Sequence, residues 1–185
     1  MARAALSREA VVEIALGLVD EEGEPGLTLS AVAARAGVAT PSLYKHVRNL
    51  AELRELLSVR IMNEMADETS GAVLGRSGGE AVRALMESWR GYVLRHPRRY
   101  SAMLQTPGPG LAQAQARLVG IVLAALRAYG MSDTEAIHAT RCIRAAMHGF
   151  SVLEADGGFG LPENVDESYR LLIDVMTSGL GEAAR

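Results

Sequence analysis

The stretch AARAGVATPSLYKHV, residues 33–47, sets a glycine between two short apolar runs, follows it with Thr-Pro-Ser, and then places Tyr-Lys-His where an exposed helical face belongs. Gly37 stops a short helix in the left-handed conformation that glycine adopts without strain. Thr40 can cap a new helix, with Pro41 in the first position, where a missing N–H costs nothing. The spacing predicts a second short helix from Pro41 to about Val47. Val32, Ala33, Ala36, Val38, Leu43 and Val47 then share one buried seam, and the pair reads as a helix-turn-helix. With Leu43 and Val47 inward, Thr40, Ser42, Tyr44, Lys45 and His46 turn outward or to the flanks. These hydrogen-bonding and cationic groups lie on a cylinder that fits the ~12 Å wide major groove of DNA.

The flanks extend the helical reading. Ser7 caps an amphipathic helix carrying Val11, Val12, Ile14, Ala15, Leu18 and Val19, ended by Gly23 and Pro25-Gly26. Thr28 caps the helix that Gly37 closes. Asn49 opens a longer one through Leu53, Leu57, Ile61 and Met65, which fades into TSGAVLGRSGG, residues 69–79, the expected linker. Further helical periodicity covers about 80–95, 97–105, 110–129, 132–155 and 165–180, and no period-two alternation supports a strand. The expected fold class is therefore all-α, with about nine helices: an N-terminal helix-turn-helix domain of three helices and a C-terminal helical bundle. The corresponding division is 1–48 for the DNA-binding domain, 49–67 for a connecting helix and 68–185 for ligand binding and dimerisation.

A chain of 185 residues with 49% hydrophobic content can bury a proper core. The single Cys142 excludes an internal disulfide framework and reads as a small buried apolar residue. No apolar run reaches secretory or membrane-spanning length, so a soluble cytoplasmic protein with no membrane partner is expected. The net charge of −3 argues against indiscriminate polyanion binding, but its distribution is uneven. Between residues 35 and 60, Arg35, Lys45, Arg48, Arg54 and Arg60 face only Glu52 and Glu55.

The segment TLSAVAARAGVATPSLYKHVRNLAELRELL resembles the DNA-binding region of TetR-family transcriptional repressors at Thr28, Val32-Ala33, Ala36-Gly37-Val38, Leu43-Tyr44 and His46-Val47. The resemblance spans roughly residues 7–58. It implies a homodimer that reads a palindromic double-stranded DNA operator and leaves it when a small effector binds. It further implies phosphate contacts from Thr28, Tyr44, Lys45 and His46, base contacts from Thr40, Pro41 and Ser42, and a lever role for the helix over about 49–66. Val47 stands where an aromatic residue is usual, and Leu50 where a lysine is usual. Arg48 or Arg54 is the replacement phosphate contact, and Arg3 and Arg8 read either as basic-arm residues for an adjacent groove or, equally, as ordinary solvated charges.

In the second half, Met86, Trp89, Tyr92, Tyr100, Met103, Leu104, Leu118 and Met147 concentrate adaptable and aromatic side chains on adjacent helices. Each alone reads as core; as a set in a family of one-component sensors they suggest a cavity for an apolar or aromatic effector, with His148 either a polar contact to it or, equally, a satisfied interior histidine. The segment from His148 to Met176 resembles the C-terminal domain of a TetR subgroup named for a Trp-His-Gly signature, with Met147 in place of the tryptophan. Two stripes, one with Ile143 and Phe150 and the other with Leu172, Ile173 and Met176, suit a four-helix dimer interface or, equally, burial within one subunit.

No Gly-rich phosphate loop or nucleophile elbow occurs, and the four histidines are scattered, so no enzyme, cofactor or metal site is expected. Glu135-x-x-His138 has the spacing of half a di-iron motif without a second copy. The alternatives are an all-helical interaction module without DNA binding and, behind it, a helical-bundle enzyme. The interaction module leaves unexplained why Thr40 to Arg48 carries no acidic residue.

Overall fold

Ser7 accepts the backbone N–H of Ala10 at 3.1 Å and opens α1, Arg8–Glu22, in the computed structural model, which describes residues 6–104 and 109–183. Thr28 does the same for α2, Leu29–Ala36, through the N–H of Ala31, and Gly37, at φ 65°, closes it in the left-handed region. After the segment Thr40–Lys45 come α3 (Leu50–Val73), α4 (Gly78–Arg95), α5 (Pro97–Leu104), α6 (Ala112–Leu126), α7 (Asp133–Ala155) and α8 (Val165–Ala183). Short 3₁₀ turns precede α2 and flank α6, and no strand occurs among the described residues. With the Thr40–Lys45 segment counted, the described residues hold nine helices and no strand, so the all-α expectation holds.

Three expectations need correction. The segment after Gly37 is a 3₁₀ helix of six residues rather than an α-helix to Val47, and its N-cap is Ala39, with no side-chain cap from Thr40. Ser42 N–H reaches Ala39 C=O and His46 N–H reaches Leu43 C=O, the three-residue spacing of a 3₁₀ turn. So few residues, one of them a proline without an N–H, do not offset the cost of nucleating an α-helix. The helix from Asn49 does not fade at 66. Thr69 is buried, α3 runs on to Val73, and Gly75, at φ 75°, supplies the stop that Gly71 does not. Cys142 is exposed, because the inward stripe of α7 is Ala139, Ile143 and Met147, and residue 142 falls one position off it.

The chain divides into two units. The first holds α1, α2, the 3₁₀ segment and α3 as far as Asn63, together with α5 from Arg98 and residues 109–114. Its core is built from Val11, Ala15, Val19, Leu27, Val32, Leu43, Val47, Leu53 and Ile61. Ion pairs lace its surface: Arg35 grips Glu21 with two bonds of 2.6 and 2.5 Å, and Arg54 meets Glu24 at 2.5 Å. Arg99 holds Asp20 through Nε at 2.7 Å and Nη2 at 2.5 Å, while Arg98 donates to the carbonyls of Asp20 and Glu21, satisfying acceptors that the end of α1 leaves open.

The second unit packs α4, α6, α7 and α8 with the remainder of α3. Leu85, Met86, Tyr92, Ile143, Met147, Tyr169 and Ile173 are fully enclosed. Ser132 and Glu135 form a capping box at the start of α7. Arg90 on α4 ties the end of α7 to the start of α8. Its Nε lies 2.6 Å from Glu154, its Nη2 lies 2.6 Å from Asp166, and its guanidinium stands 4.8 Å from the centre of the Tyr169 ring.

Candidate nucleic-acid interface

Leu43 and Val47 are buried, fixing the inner side of the 3₁₀ segment, which packs against α2. That leaves Pro41, Tyr44 and Lys45 exposed, and Thr40, Ser42 and His46 half-exposed at the flanks. Tyr44 keeps 56% of its surface in solvent, an unusual placement for an aromatic ring that has core within reach. Thr28 is exposed at the N-cap of α2, where its hydroxyl oxygen is occupied by the Ala31 N–H and its hydroxyl proton is left for another acceptor.

The basic patch is largely neutralised. Arg35, Arg54 and Arg60 each pair with an acidic residue on a neighbouring element, so Arg54 is committed to Glu24. Arg48 pairs with Glu52 yet keeps 83% of its side chain exposed, which makes it the better placed of the two for the contact that Leu50 lacks. Lys45 makes no ion pair among the described residues. Arg8 is engaged by Glu52 and by the carbonyl of His46, and Arg3 lies outside the described residues. Glu52 itself was not singled out in the sequence. The signal for it is Asn49-x-x-Glu52: Asn49 accepts the N–H of Glu52 at 2.9 Å, and the Glu52 carboxylate reaches back to the Arg48 N–H at 2.6 Å. That backbone hydrogen bond, with the Arg48 and Arg8 guanidinium groups, holds the Glu52 carboxyl below the usual carboxylate range.

The residues proposed for an effector fall in both units. Met86, Trp89, Tyr92, Leu118, Met147 and His148 belong to the second unit, and Tyr100 and Met103 to the first. Met86, Tyr92 and Met147 are closely packed, and the Tyr92 hydroxyl meets Glu64 at 3.0 Å. Of the proposed dimer residues, Ile143 and Ile173 are wholly buried within their own unit. Leu172 and Met176 are half-buried, and so is Phe150, whose ring lies tilted with its centre 4.7 Å from that of Phe159 and 4.9 Å from that of Tyr169. The apolar groups turned to solvent on these helices are others: Leu171 (64%) and Val175 (59%) on α8, one turn apart, and Ile137 (47%) and Leu153 (51%) on α7. Glu135 is spent in its capping box, and no cluster of metal-ligating side chains occurs among the described residues. No described helix is long and apolar enough to cross a membrane.

A buried seam under a short, outward-facing polar segment defines a helix-turn-helix DNA-binding protein. Comparison with known proteins narrows the class. Residues 82–176 match the tetracyclin repressor-like C-terminal domain. The chain is 32% identical over 180 residues to YobS of Bacillus subtilis, an uncharacterized HTH-type transcriptional regulator, covering 96% of this chain and 94% of that one. The fold superposes on BioQ bound to its double-stranded DNA operator with a TM-score of 0.74, at 22% identity over 95% of this chain and 98% of that one. It superposes on a TetR variant from Acinetobacter baumannii in complex with minocycline with a TM-score of 0.75, at 18% identity over 97% and 99%. The chain belongs to the TetR family of transcriptional regulators and is a DNA-binding regulator of that type.

Proposed function

We propose that this regulator is a homodimeric repressor of the cytoplasm that occupies a palindromic operator and is released by a small apolar or aromatic effector, with no catalytic step of its own. The observation that carries the reading is the pairing of buried Leu43 and Val47 with exposed Pro41, Tyr44 and Lys45 on one six-residue segment. In this reading Thr40, Pro41 and Ser42 face base edges. Thr28, Tyr44, Lys45, His46 and Arg48 contact phosphates, supplying affinity that falls with salt. Two copies place their segments about 34–36 Å apart, or at a multiple of that spacing, to match half-sites on one face of the duplex.

The exposed Leu171, Val175 and Leu153 support α7 and α8 as the dimer surface, their buried neighbours Ile143 and Ile173 stiffening it from within. Effector recognition rests on the Met86, Trp89, Met147 and His148 region of the second unit, and His148-Gly149, with Met147 departing from the tryptophan, is the support for membership of the Trp-His-Gly subgroup. The effector acts by binding the DNA-incompetent conformer better than the competent one, and a full switch requires a discrimination of about 5.5 kcal/mol.

The test is a gel-shift titration with random and enriched duplexes across a salt series. Lys45→Ala weakens binding to every sequence and reduces the slope of log K against log salt by about 1. An unchanged slope removes Lys45 from the phosphate contacts.

A further inference from the structure

We propose that Glu52 is a positioning residue for DNA reading: its carboxylate, at the edge of the DNA face, holds the arginines and backbone that fix the C-terminal end of the recognition segment. The inference rests on the DNA-reading role assigned above to residues 40–48.

The segment needs outside support. It is a 3₁₀ helix of six residues with no side-chain cap at its start, and 3₁₀ geometry gives weaker hydrogen bonds than an α-helix. Its C-cap is His46, and the carbonyl of His46 accepts Nε of Arg8 at 3.1 Å, a bond between positions 38 residues apart in sequence. The Arg8 guanidinium is in turn held by one oxygen of Glu52. The other oxygen accepts both the backbone N–H of Arg48 at 2.6 Å and Nε of Arg48 at 3.2 Å. One carboxylate therefore joins the start of α1, the end of the recognition segment and the first turn of α3, with only 11% of its side chain exposed. Its own N–H is fixed by Asn49, so the carboxylate is launched from a capped helix turn.

The sign of the charge separates position from attraction. A carboxylate beside a phosphate backbone repels it, so Coulomb's law alone predicts that neutralising Glu52 tightens DNA binding. Positioning predicts the reverse for the correct sequence, because the segment and both arginines lose the geometry in which they meet the duplex, while loose attraction to any duplex is kept or strengthened. The two accounts diverge in the ratio of specific to non-specific affinity.

The experiment uses the full chain. A duplex is enriched from a randomised pool with the wild-type protein, and a scrambled duplex of the same length and composition serves as the non-specific probe. Dissociation constants for both are measured for wild type, Glu52→Gln and Glu52→Asp over a salt series, with thermal melts to show that the variants fold. The expected result is a specificity ratio lowered about tenfold in Glu52→Gln, the loss that follows from one missing charge-assisted hydrogen bond, with non-specific binding equal to or tighter than wild type. Glu52→Asp keeps the charge but is too short to span both arginines, so its ratio falls while its non-specific binding stays at the wild-type value; it carries the test if Glu52→Gln does not fold. A Glu52→Gln that gains affinity equally for both duplexes, or a Glu52→Asp with the wild-type ratio, overturns the proposal. Failure of the wild-type protein to enrich any duplex overturns the DNA-reading role itself, and is recognised before any variant is made.

Discussion

Replacing Arg90 with alanine tests the corner where α4 meets the end of α7 and the start of α8. The Arg90 and Glu154 side chains are 15% and 16% exposed, while Asp166 is 68% exposed. The Asp166 arm therefore contributes about 0–1 kcal/mol, as surface pairs do. Removing the guanidinium leaves Glu154 mostly enclosed without its partner, and breaking a buried pair from one side costs about 3–5 kcal/mol. The residual exposure of this pair places it at the lower end, about 3 kcal/mol, which for a chain of this size lowers Tm by about 6–12 °C. Thermal unfolding followed by circular dichroism reads the change. Arg90→Met combined with Glu154→Leu recovers most of the loss, because it removes both charges and keeps the volume. An Arg90→Ala protein that melts within about 2 °C of wild type refutes the assignment of a buried, stabilising pair.

Leu171→Glu together with Val175→Glu places two carboxylates on the outward face of α8 without touching the buried Ile173, so the fold is retained while the dimer dissociates; sedimentation velocity showing an unchanged dimer rejects that surface. Acid stability follows from the carboxylates of Glu9, Glu21, Glu52 and Glu135, each held below its ordinary value of 4.5, chiefly by hydrogen bonds to the ionised form. Their folded pKa values lie below the unfolded ones, so their contribution is complete above about pH 4.5 and is lost as pH falls through the lowered values. Tm is then flat near neutral pH and drops in acid, and a Tm that rises between about pH 5 and 4 contradicts the sign.

Much of this architecture is legible locally. Ser7, Thr28 and Gly37 sit at helix ends because their hydrogen bonds and backbone geometry involve residues two to five positions away, information that a short window contains. The seam under residues 33–47 is likewise set by spacing. The 3₁₀ form of the recognition segment is not, since Thr-Pro begins either helix type and only the length allowed between Ala39 and His46 decides. The pairing of Arg8 with Glu52 or of Arg90 with Glu154 joins residues far apart in sequence, and no periodicity announces it. The outward and inward sides of α7 and α8 escape for another reason. Both carry enough apolar residues to form a stripe, and only packing shows that Ile143 and Ile173 are spent inside while Leu171 and Val175 are not.

The reach of Arg98 and Arg99 to the end of α1 has a consequence for protein engineering. The reading head is not a contiguous stretch of sequence, because α5 from Arg98 onward folds as part of the same unit. An excised N-terminal fragment loses the donors for the Asp20 and Glu21 carbonyls and strands the Asp20 carboxylate. A chimera that transplants this head onto a foreign sensor must therefore carry α5 along, or supply two guanidinium groups in its place.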